Sequence, residues 1–69
     1  MYVQIRSSFP LNSLDLGKIE DYLTASDEDM LCFKFDEEDG RDDYLFLMEL
    51  LIEAEVQHFE VTISTADVF

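Results

Sequence analysis

Apolar and polar positions in this chain alternate in some stretches and recur at helical spacing in others. Residues 2–9 set Val3, Ile5 and Phe9 against Tyr2, Gln4 and Arg6, which predicts a strand with one buried face. Pro10 ends it, and Asn12 or Ser13 offers an N-cap for a following helix. From Ser13 to Ala25, Leu16, Ile19 and Leu23 follow helical spacing with Leu14 and Tyr22 alongside, while Asp15, Lys18 and Asp21 form the opposite face. Gly17 weakens the first turn of that helix. Residues 30–35 alternate Leu31, Phe33 and Phe35 against Met30, Cys32 and Lys34, the clearest strand pattern in the chain. An acidic loop over 36–43 turns at Gly40, and a second helix is predicted from about Asp42 to Glu55, its start marked by carboxylates that complement the helix dipole. Residues 58–64 alternate Phe59, Val61 and Ile63 against Glu60, Thr62 and Ser64 and predict the last strand.

The order β-α-β-α-β predicts a small two-layer α/β domain over residues 1–69. Its three-stranded sheet has both helices on the face made by Val3, Ile5, Leu31, Phe33, Phe35, Val61 and Ile63. Helical crossovers favour parallel neighbouring strands, although three short strands leave an antiparallel pairing open. The second helix carries more apolar surface than one sheet covers. Tyr44, Leu45, Leu47, Met48, Leu51 and Ile52 make a wide stripe, which Phe46 and Leu50 extend. Phe46 and Leu50 are therefore the expected apolar interface of a homodimer or of a partner.

Charge changes the picture. Seventeen Asp and Glu oppose four Lys and Arg in 69 residues, a net charge of −13, where solubility needs a magnitude of roughly 2–8. Disordered chains share such charge but lack apolar residues, and this chain is 48% hydrophobic with six Phe. The single Cys32 excludes an internal disulfide and fits a reducing compartment. No apolar core follows Met1 to Arg6 as in a signal peptide, and the apolar run Tyr44 to Met48 is far short of the roughly 20 residues that span a bilayer. The expectation is a cytoplasmic protein without membrane contact. Direct nucleic-acid binding is excluded on charge, because Arg6, Lys18, Lys34 and Arg41 are scattered and cannot form a basic stripe.

Some carboxylates serve the helices: Asp15, Asp39, Asp42 and Asp43 fall at or before predicted N-termini. Others oppose the dipoles, Asp27, Glu28 and Asp29 after the first helix and Glu53 and Glu55 in the last turn of the second. Glu49 and Glu53 are like charges four residues apart. A globule of this length has a diameter of roughly 28 Å, along which duplex DNA carries about 16 phosphate charges. The residues expected to engage a basic, nucleic-acid-binding partner are Asp27, Glu28, Asp29, Asp36, Glu37, Glu38, Glu49 and Glu53, with carboxylates standing where phosphates would.

No catalytic or metal signature accompanies this charge. With Gly40 at position six of a calcium loop, positions one and twelve would be Phe35 and Phe46, which cannot ligate. One His58, one Cys32 without a CxxC partner and two glycines supply neither a nucleophile triad nor a phosphate loop. The expectation is a non-enzymatic, cofactor-free inhibitor that imitates DNA. Small proteins with which phages and mobile elements block defence systems or take over the host share this size and charge, an analogy and not a motif match. Two alternatives use the same features: an antitoxin or immunity protein neutralising a basic toxin such as a nuclease, and a structural subunit docking through the second helix.

Overall fold

The alternating segments pair as antiparallel strands, and the central one comes first in the chain. A computed structural model describes residues 1–11 and 13–65. Strand β1 (Tyr2–Ser7) is followed by a 3-10 helix (Gly17–Tyr22), β2 (Leu23–Asp27), β3 (Met30–Lys34), helix α1 (Gly40–Glu53) and β4 (Phe59–Ser64). The sheet order is β2-β3-β1-β4. Val3 stands opposite Phe33 on one side and Ile63 on the other, and Ile5 stands opposite Leu31 and Val61. One apolar face thus runs across β3, β1 and β4, as their alternation requires.

Three expectations are corrected. The helix expected over Ser13–Ala25 is replaced by the short 3-10 helix and then β2. Gly17 takes a left-handed φ of 57°, which interrupts a right-handed helix at its first turn. Leu16 and Ile19 still reach the core, while Leu23 does so from a strand, paired with Phe33. Asn12, a candidate cap for that helix, lies outside the described residues. Secondly, the described residues form a sheet of four strands, not three, with one α-helix. Thirdly, the neighbouring strands are antiparallel. The parallel preference of a helical crossover survives at one remove: β3 and β4, joined through α1, both run opposite to β1 and hence parallel to each other, with β1 inserted between them.

The core contains Val3, Ile5, Leu11, Leu16, Ile19, Leu31, Phe33, Phe35, Leu47 and Leu51. Phe33 and Phe35 stack at 5.2 Å between centroids, and Tyr22 meets Phe35 edge-on at 5.7 Å. Gly40 opens α1 instead of forming a loop turn. A Cβ there would stand 3.2 Å from the Cβ of Phe35 and 3.1 Å from Cε of Met1, so the helix enters close against the sheet and a larger residue would press on both side chains. At its other end the N–H of Val56 donates to Leu51 and that of Glu55 to Ile52, each at 3.0 Å, the paired bonds of a Schellman stop.

No described helix covers the opposite sheet face. There Gln4 Nε2 donates to Met30 Sδ at 3.4 Å and approaches Cys32 Sγ at 3.8 Å, which leaves Cys32 buried beneath its neighbours. No described helix is long and apolar enough to cross a membrane.

Candidate functional site

The eight acidic residues expected to engage a partner separate into three groups, each held by a different element. Asp27, Glu28 and Asp29 form the tip of the β2–β3 hairpin and are exposed. This two-residue turn has no left-handed residue, unlike the usual tight hairpin turns. It is fastened from outside: Leu11 N–H donates to the Glu28 carbonyl at 2.7 Å, and Ser7 N–H to that of Asp29 at 3.0 Å. The Asp27 carboxylate accepts the Glu28 N–H at 2.8 Å. Three carboxylates are therefore presented on a braced tip.

The second group lies past the other end of β3. Asp36, Glu37 and Glu38 are exposed in the connection to α1. Asp39 caps α1 through its carbonyl, which accepts the N–H of Asp42 at 3.1 Å and of Asp43 at 3.2 Å. The negative field here is strong enough to act on a neighbour. Asp43 foremost, then partial burial, then Asp36, Asp39 and Asp21, push the Tyr22 phenol above its ordinary value of 10.0. Of these, Asp21, Asp39 and Asp43 are absent from the expected partner-binding set. Asp39 and Asp43 have the helix dipole as a sufficient explanation, and Asp21 joins the group only through the path of residues 17–22.

Glu49 and Glu53 make the third group, exposed one turn apart on α1. With Asp15 they line a shallow groove whose floor includes Gly17, Phe46 and Leu50. Phe46 and Leu50, expected at an apolar interface, are half-buried there. Lys18 Nζ lies 5.0 Å from the centre of the Phe46 ring, and a Cβ at Gly17 would stand 3.6 Å from that ring. Among the described residues, the large apolar side chains left exposed are Phe9, Leu45, Ile52 and Ile63.

Two of the cations stand apart from these groups, whereas Lys18 borders the third through Phe46 and Arg41 lies in the first turn of α1 beside Asp42. Arg6 and Lys34 are both on the helix-free face of the sheet, Arg6 opposite Glu60 and Lys34 with its ammonium 5.7 Å from the Tyr2 ring centre. Carboxylates thus dominate both ends of β3 and the outer side of α1, while the open sheet face is mixed and nearly neutral. Among the described residues, no group of three or more His, Cys, Asp and Glu is arranged to hold a metal ion. Compared with protein-family models, curated proteins and solved structures, the chain matches none of them.

Proposed function

We propose that this protein is a small acidic inhibitor that occupies the basic nucleic-acid-binding groove of a target protein, its carboxylates taking the place of phosphates. The observation that carries the reading is the spacing of two acidic clusters, the hairpin tip among them braced by backbone bonds, on a body measuring 28 × 22 × 18 Å. The hairpin tip and the 36–38 connection are separated by the length of β3. From Asp29 to Asp36 an extended chain covers about 23 Å at roughly 3.3 Å per residue. A DNA segment 28 Å long carries about 16 phosphates against the 13 net negative charges here. A pre-formed acidic body engages several Lys and Arg side chains together without first ordering a chain, which lowers the entropic cost of binding. In this reading the protein acts by occupancy and performs no chemistry, in the cytoplasm of the cell that holds its target.

Capture from a lysate of the source cells on immobilised protein, followed by elution with duplex DNA, tests this. Proteins that bind nucleic acid should be retained at low salt and released by the duplex. A partner that stays bound in high salt and ignores the duplex contradicts it. A partner released by salt but indifferent to DNA replaces it with the neutralisation of a basic toxin.

A further inference from the structure

The two edges of the sheet are built differently. Edge strand β2 is interrupted by a register shift between Leu23 and Ala25 and ends in Asp27, two devices that discourage another strand from pairing. Edge strand β4 has neither. Its register with β1 is unbroken from Phe59 to Ser64, and Glu60 is its one charged residue. The apolar side of that edge is also incompletely covered, since Ile63 is 51% exposed on the face where α1 packs.

The helix continues this surface. Leu47 and Leu51 point into the core, and Phe46 lies on the flank that meets Gly17. The segment containing Gly17 leads into β2, so the opposite flank of α1 lies toward β4. At 3.6 residues per turn that flank holds Tyr44 and Met48, with Leu45 and Ile52 beyond them. Leu45 is 48% and Ile52 70% exposed. An edge strand without these two devices and an apolar helix flank thus adjoin on one side of the molecule, where Glu49, four residues from Leu45 and three from Ile52, is the expected partner-binding carboxylate next to that flank.

We propose that this side binds a second copy of the chain, β4 pairing antiparallel with β4 of the copy about a two-fold axis at Val61. That register is self-complementary. Val61 meets Val61 of the copy, Ile63 meets Phe59, and Glu60 meets Thr62, so apolar residues face apolar residues and no two carboxylates are opposed. A basic partner has little to pair with on an edge bearing one charge, whereas the same edge offers a second copy matched alternation. Faces of a body this size present roughly 400–600 Å², so two copies bury on the order of 1,000 Å², the lower bound for a specific interface. The dimer is therefore weak and concentration-dependent. Because both copies are strongly acidic, added salt tightens it. That response is opposite in sign to the one expected of the groove complex, so the two proposals fail separately.

Sedimentation equilibrium of the full chain across protein and salt concentrations tests this, with circular dichroism verifying the fold of each variant. Wild type should show a monomer–dimer equilibrium that strengthens with salt. Thr62 is exposed, and Thr62→Glu sets two carboxylate pairs in opposition and should weaken the dimer about tenfold. Adding Glu60→Lys should restore it, while adding Glu20→Lys, the same change of charge at an exposed position outside β4, should not. Ile63→Lys should weaken it independently. A mass of 8.1 kDa at every concentration overturns the proposal. So does a dimer indifferent to both Thr62→Glu and Ile63→Lys, or equal rescue by the two lysine variants.

Discussion

Glu55 sits at φ 58°, the left-handed position that usually follows a helix stop and usually holds glycine. Its β-carbon costs about 1 kcal/mol there, and its carboxylate lies at the negative end of the α1 dipole. Glu55→Gly should therefore stabilise the protein by roughly 1 kcal/mol, read as a higher midpoint in urea, despite the added freedom of the unfolded chain. Gly17 presents the reverse case. With φ at 57°, Gly17→Ala should destabilise by about 1–2 kcal/mol even though a Cβ there meets only ordinary contacts. Tyr22 reports the acidic field directly. Its phenol is raised in the folded protein, chiefly by Asp43, so the unfolded chain ionises first as pH rises. The corresponding stability is intact below about pH 10 and is lost above it. Absorbance titration of phenolate, with Tyr22→Phe identifying the signal, should show Asp43→Asn and added salt each lowering the Tyr22 pKa.

At the scale of the elements, what could be read from the sequence was what one strand or helix determines by itself. Alternation places β1, β3 and β4, and carboxylates before an apolar stripe place α1. The helix expected over 13–25 does not form, because Leu16, Ile19 and Leu23 satisfy helical spacing while reaching the core from a loop, a 3-10 turn and a strand in succession. The β2–β3 hairpin was hidden for a related reason. Its turn lacks the Gly or Asn that signals one, being held by the backbone bonds of Ser7 and Leu11. Among the candidate site residues, Asp27–Asp29 and Asp36–Glu38 were legible as runs, whereas the approach of Asp21 to the second run depends on tertiary structure. The apolar excess of α1 was also legible, but not its distribution. Leu51 is fully buried and Ile52 is 70% exposed, so Leu51→Ala should cost about 2–5 kcal/mol and Ile52→Ala less than about 0.5 kcal/mol. Paired urea unfolding curves check this.

For the whole molecule, the excess charge opposes folding, and the proposed basic partner would offset it. The exposed carboxylates Asp36, Glu37 and Glu38 add to self-repulsion while the core lies elsewhere. Replacing them together by Asn, Gln and Gln should leave stability unchanged or slightly raised, and should weaken the groove complex. The most direct test measures the affinity of wild type and of this triple variant for the captured partner across a salt series. The account predicts that wild-type affinity falls steeply as salt rises, and that the variant binds more weakly with a shallower salt dependence. Affinity independent of salt, or equal for the two proteins, would contradict it.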